Sequence, residues 1–151
     1  MRIAIIDDHP IVCQGISSIL KHEADFDVVA SVSNGKDAEQ KLVGLAPDLI
    51  LVDLRLPGES GFDIVERLKP LIPNTKFVVF STFSTVDDVQ RAIAVGIDGY
   101  ILKETLPEEL ISALRLVGQG RPYIDPSIME IVIQWQKRTV DPLTSLTPQG
   151  A

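Results

Sequence analysis

The chain has 151 residues, 45% of them hydrophobic and 23% charged, with a formal net charge of −7. That length supports one domain with a real core and a short remainder, and a pI near 4.7 excludes a general polyanion binder. No apolar run approaches the roughly 18 residues of a membrane span, Ile3–Ile6 is too short for the core of a secretion signal, and a single cysteine, Cys13, fits a reducing cytoplasm.

Strand-like and helix-like segments alternate five times. Arg2–Ile6 reads as a strand, and Pro10–His22 as a helix with Val12, Ile16, Ile19 and Leu20 on one face. Asp27–Val32 is a second strand, followed by a helix over Asn34–Leu45. The third, Asp48–Asp53, contains the unbroken apolar run Leu49-Ile50-Leu51-Val52, as expected of a parallel strand buried on both faces. Pro57, Gly58 and Gly61 predict a turn, and the next helix runs from about Ser60 to Lys69, closed by Pro70. Lys76–Ser81 is the fourth strand and Val86–Val95 its helix, with Gly96 as the C-cap. Gly99–Leu102 is the fifth strand, and Pro107–Val117 the fifth helix, ended by Gly118 and Gly120. This alternation implies right-handed crossovers and an α/β fold with a doubly wound, five-stranded parallel sheet.

Beyond Gly120 the composition changes. Arg121–Pro126 reads as a turn-rich connector, and a sixth helix starts near Ser127, with Ile128, Ile131, Val132 and Trp135 at helical spacing. Met129 and Ile133 widen that face. The helix is expected to pack back on its own domain; the rival is a helix shared with a second subunit or a following domain. The expected organisation is a domain over 1–120, a connector and helix over 121–138, and a linker over 139–151.

In a parallel sheet the carboxyl ends of the strands meet at one edge, where such folds place their ligands. Here those ends carry Asp7 and Asp8, Asp53, Ser81 and Lys103. Carboxylates a few ångströms apart repel by about 1 kcal/mol per pair in water and about 4 at an effective dielectric near 20. Protonation or a cation relieves this. With oxygen ligands and no Cys/His cluster, the ion should be hard, Mg²⁺ ahead of Mn²⁺ or Ca²⁺. Asp8, Asp53 and a backbone carbonyl in the following loop would hold it, leaving positions for water and a phosphoryl oxygen. Asp53 would then be a nucleophile toward phosphorus, Lys103 would pair with the charge gained, and the Ser81 hydroxyl would donate to a phosphoryl oxygen. Each residue alone has a plainer role: a strand-end Asp caps or turns, a Lys is solvated, a Ser caps a helix. Five together on one crest point to chemistry.

Asp7-Asp8, Asp53 with Pro57 and Gly61, Ser81, Tyr100 and Lys103 resemble the receiver domain of bacterial two-component response regulators. Ile5-Ile6-Asp7-Asp8-His9-Pro10, Val52-Asp53-Leu54-Arg55-Leu56-Pro57-Gly58 and Gly99-Tyr100-Ile101-Leu102-Lys103-Glu104 most resemble its NarL/FixJ branch. The resemblance covers about residues 1–120 and implies a flavodoxin-like (βα)₅ fold. It implies that Asp53 accepts a phosphoryl group from a sensor histidine kinase, with Mg²⁺ held by Asp8, Asp53 and the carbonyl of Arg55, and Asp7 acting through water or supporting the ion. Ser81 and Tyr100 would form a switch pair, the hydroxyl moving toward the phosphoryl group and the ring following inward. Homodimerisation on phosphorylation is expected, and no turnover beyond the chain's own modification.

Leu143–Pro148 resembles the lead-in to a LuxR-type helix-turn-helix. No recognition helix is present, so the implied output is transcription control through a DNA-binding domain absent from this chain. The alternative is a stand-alone receiver serving as a phosphoryl shuttle or partner-binding module. An aspartyl-phosphate phosphatase is disfavoured, because Arg55 stands where a second acid is needed, and a nucleotide-binding Rossmann domain lacks its glycine-rich loop.

Some positions depart from the pattern. Glu104 follows Lys103 where many receivers have proline after a cis bond, and Thr82 stands where a smaller residue is frequent. Arg55 and Phe83 occupy positions that tend to set phosphoryl lifetime in the family, and their bulk predicts slow attack by water. His9 is expected as a loop former, and Cys13 as outward-facing and inert.

Overall fold

The computed structural model describes residues 1–82 and 84–139, with side chains through 137. Phe83 and the 140–151 segment, including the Leu143–Pro148 motif, lie outside the described residues. In chain order the elements are β1 (Arg2–Ile6), α1 (Pro10–Leu20), β2 (Asp27–Val32), α2 (Gly35–Leu45), β3 (Leu49–Val52), β4 (Arg55–Leu56), β5 (Glu59–Ser60), α3 (Gly61–Leu68), β6 (Lys76–Ser81), α4 (Val86–Val95), β7 (Gly99–Leu102), α5 (Pro107–Gly118), β8 (Tyr123–Ile124) and α6 (Pro126–Thr139).

The main sheet has the order β2-β1-β3-β6-β7-β8, and all its pairings are parallel. β3 lies centrally, and its four residues are buried, as their apolar run requires. Side chains alternate between the two faces of the sheet and so build two cores. Ala4, Ile6, Ile50, Val52, Phe77, Val79 and Tyr100 meet residues of α2, α3, α4 and α6 on one side. Ile3, Ile5, Leu49, Leu51, Val78, Phe80 and Ile101 meet α1 and α5 on the other.

The register sets up the crest. Ile6 pairs with Val52, Val52 with Val79, and Val79 with Tyr100. One residue further on, the Asp7 amide donates to the Val32 carbonyl and the Asp53 amide to the Ile6 carbonyl. The two acids therefore leave neighbouring strands at the same level.

Two short features depart from the sequence-based expectation. The expected turn after Asp53 is a small antiparallel hairpin, with Arg55 opposite Ser60 and Leu56 opposite Glu59. Pro57 and Gly58 turn it, Gly58 at φ +80°, a conformation that costs glycine little. The expected connector after Gly120 contains β8, so the sheet has six strands, not five. β8 pairs with β7 through Gly99–Tyr123 and Tyr100–Ile124. Two residues between prolines carry too little periodicity to be legible, and their parallel pairing follows from α5 acting as one more crossover.

α6 starts at Pro126, where the lost N–H is no sacrifice, and Asp125 accepts from the Ser127 amide. Ile128 and Val132 are buried in the α4 core while Met129 and Ile133 stay exposed. The helix thus packs on its own domain, as expected.

Gly61 opens α3 with no room for a side chain: an added Cβ would lie 2.1 Å from the Asp53 carbonyl oxygen. Gly61→Ala should lower the unfolding free energy by about 1–3 kcal/mol, the usual cost of forced overpacking, read from urea denaturation. At the far end of the sheet Arg115 on α5 reaches Glu23 and Asp25 at 2.7 and 2.9 Å. Its guanidinium holds the Asp25 carboxyl below the ordinary value of 3.8. A depressed folded pKa contributes stability above the unfolded pKa that is lost as pH falls through the folded one. Below about pH 4, wild-type stability should therefore drop more steeply than that of Arg115→Gln, measured as urea midpoints across the acid range.

Candidate functional site

The crest gathers the expected groups. The Lys103 ammonium lies 2.7 Å from Asp7 Oδ2 and 3.2 Å from Asp53 Oδ2. Both acid side chains are almost fully buried and that of Lys103 is largely so. Lys103 is aimed by β7: its amide donates to the Ser81 carbonyl, continuing the β6–β7 ladder one step past its end. Burial alone would pull the ammonium's pKa down. The hydrogen bond from Lys103 to Asp7 and the charges of Asp53 and Asp7 outweigh it, so the pKa is held above its ordinary value. No peptide bond among the described residues is cis, so Lys103 takes this position before a trans bond to Glu104.

Asp8 is the odd member. Its Oδ1 is buried and has no hydrogen-bond partner among the described residues, although the His9 ring nitrogen comes within 3.2 Å. A buried carboxylate oxygen without a donor is costly. Ligand atoms of Asp7, Asp8, His9 and Asp53 lie within 4.8 Å of one another. This oxygen-rich donor set with one orphaned oxygen fits a hard divalent cation.

His9 contributes more than a loop. Its amide and its Nδ1 both lie 2.9 Å from Asp7 Oδ1. The hydrogen bond to Asp7 and the Asp8 charge raise the ring's pKa. No sequence signal marked this, since a His after two acids looks the same whether its ring faces them or water. Cys13 is half-buried rather than outward, its thiol 3.7 Å from the Asp7 carbonyl oxygen. Burial pushes the thiol's pKa up, which agrees with an inert residue.

Around the acids, the Arg55 amide lies 3.4 Å from Asp53 Oδ1. Its guanidinium forks onto Asp88 at the start of α4, at 2.8 and 3.4 Å. Asp88 also closes the α4 capping box with Thr85. Ser81 ends β6 fully buried, opposite Leu102. Tyr100 is buried too. Its hydroxyl is hydrogen-bonded to Ser84, and burial pushes its pKa up to about 12. Ser84 and Asp88 were not marked by sequence, because each acts only through a partner distant in the chain.

Residues 3–115 match the response regulator receiver domain family. The chain is 38% identical over 126 residues to the oxygen regulatory protein NreC of Staphylococcus epidermidis, covering 83% of this chain and 58% of NreC. It is 30% identical over 147 residues to a nitrate/nitrite response regulator protein homolog of Haemophilus influenzae, covering 97% of this chain and 70% of that protein. Among solved structures, a two-component response regulator of the LuxR family from Aurantimonas sp. SI85-9A1 superposes with a TM-score of 0.83 at 26% identity, over 89% of this chain and 96% of that one.

The cluster sets three carboxylates and one imidazole against a single ammonium. With divalent ions removed, Asp8→Asn should raise the unfolding free energy by about 1–4 kcal/mol, the range for one removed like-charge contact. Thermal or urea unfolding in the presence of a chelator measures this.

Proposed function

The chain belongs to the response regulator receiver domain family, and on that footing we propose that Asp53 is its phosphoacceptor, charged by the phosphohistidine of a sensor kinase. The observation that carries this is the Lys103 ammonium held between Asp7 and Asp53. The chain is a receiver of the NarL/LuxR type in two-component signalling. It spans 58% of the length of NreC, and the output is proposed from there.

In the transfer, an Asp53 carboxylate oxygen attacks phosphorus as the bond from phosphorus to the histidine nitrogen breaks. That nitrogen leaves with the electron pair, and the ring, protonated on its other nitrogen beforehand, ends as neutral imidazole. Asp53 becomes an acyl phosphate carrying more negative charge than the carboxylate it replaces. Lys103, already 3.2 Å from Asp53, compensates that charge, and Ser81 donates its hydroxyl to a phosphoryl oxygen. Asp8, Asp53 and the Arg55 carbonyl would hold Mg²⁺, or Mn²⁺ in its place, with Asp7 in support. A bound divalent ion would supply charge neutralisation at the oxygens of the transferring group. Tyr100 reports the change at the crest to α4, since its hydroxyl is tied to Ser84 one residue before the Thr85 cap.

The readout we propose is homodimerisation and control of a DNA-binding domain following α6. No helix among the described residues is long and apolar enough to cross a membrane.

Incubation with acetyl phosphate and Mg²⁺ should add the mass of one phosphoryl group to the wild type and none to Asp53→Asn, as read by intact mass spectrometry. Addition to both proteins, or to neither, rejects Asp53 as the acceptor.

A further inference from the structure

Arg55 is placed between two acids that belong to different parts of the molecule. It lies on the hairpin two residues after Asp53, with its amide at Asp53 Oδ1. Its guanidinium crosses to Asp88 on α4, a residue 33 positions away. Asp88 in turn accepts from the Thr85 amide at 3.0 Å, while its own amide donates to Thr85 Oγ1 at 3.2 Å. The side chain of Ser84, beside that cap, is bonded to the Tyr100 hydroxyl. One forked ion pair therefore joins the acceptor loop to the first turn of α4. Arg55 and Asp88 also line the same open cleft of about 760 Å³, with Asp8, His9 and Glu59 on its wall. The Arg55 guanidinium already feels the Asp53 charge, so a group added to Asp53 would act on a guanidinium that has a carboxylate partner.

The two partners are unequal. Asp88 offers one charge and two oxygens. A phosphoryl group offers about −1.5 to −2 and three strong acceptors, two of which the planar guanidinium fork can engage at once. The Arg55–Asp88 pair is half-exposed on the Arg55 side, so it is a weak pair, easily exchanged.

We propose that Arg55 is a positioning residue that changes partners. It holds Asp88 while Asp53 is free, and moves to the phosphoryl group when Asp53 is modified, releasing the first turn of α4. The inference rests on Asp53 being the acceptor. It makes the side chain of Arg55, and not only its backbone, part of the response. The release is local: the Thr85–Asp88 cap can still form its own hydrogen bonds, but it opens more often once its anchor to the loop is gone.

Amide hydrogen exchange at Asp88 and Val89 tests this in wild type and Arg55→Gln, before and after acetyl phosphate with Mg²⁺, with intact mass reporting modification. Before modification, Arg55→Gln should exchange several-fold faster at these amides. Modification should bring the wild type to that level and leave Arg55→Gln unchanged. Asp88→Asn, which breaks the pair from the other side and also weakens the acceptor for the Thr85 amide, should exchange at least as fast as the unmodified Arg55→Gln. Equal exchange of wild type and both variants before modification overturns the proposal. So does an equal acceleration of wild type and Arg55→Gln by a phosphoryl group that mass shows to be present. If no phosphoryl group is added to the wild type, the acceptor assignment fails, and the partner exchange with it.

Discussion

A single ammonium set against three carboxylates is the constraint on which this molecule turns. The parallel register delivers Asp7 and Asp53 to the same level of the crest, and β7 supplies Lys103 from two strands away. Neither acid could be buried so fully without that cation. Yet Lys103 alone leaves the set unbalanced, and the Asp8 oxygen without a hydrogen bond among the described residues shows where. The fold tolerates an electrostatic strain at its rim because two large apolar cores lie beneath it. Sites held in this way respond strongly to any group that alters their charge.

α4 is fastened to its neighbours along its length. Along its body Arg91 reaches Asp63 on α3 at 2.8 Å and also pairs with Glu66. At its C-terminal end the Lys69 ammonium donates to the carbonyls of Val95 and Gly96. At its start, Arg55 holds Asp88. Exposed ion pairs of this kind contribute little singly, on the order of 0–1 kcal/mol. They set position more than stability. Of the three fastenings, Arg55 is the one that stands beside the acids, and so the one their charge can influence.

Much of this was legible in the sequence. The apolar runs Leu49–Val52 and Phe77–Phe80 mark buried parallel strands without ambiguity, and the polar residue ending each run marks the crest. Asp7, Asp8, Asp53 and Lys103 could be named because alternation and parallel pairing force strand ends together. What could not be read was short or non-local. The β4–β5 hairpin and β8 have two residues per strand, below the length at which any period is expressed. The pairs Arg55–Asp88 and Tyr100–Ser84 join positions with no mutual pattern in the chain. The His9 ring could be placed only once the carboxylates around it had been located.

α6 carries a consequence for how the α4 side of the sheet is covered. Ile128 and Val132 share one core with Val89, Ala92 and Tyr100, so the helix roofs α4 instead of trailing from it. A protein shortened to the last residue of α5 would retain the acids and Lys103 but leave the underside of α4 wet and the β7 edge bare. Ile128 and Val132 thus tie the start of α6 to the same half of the molecule that houses Tyr100.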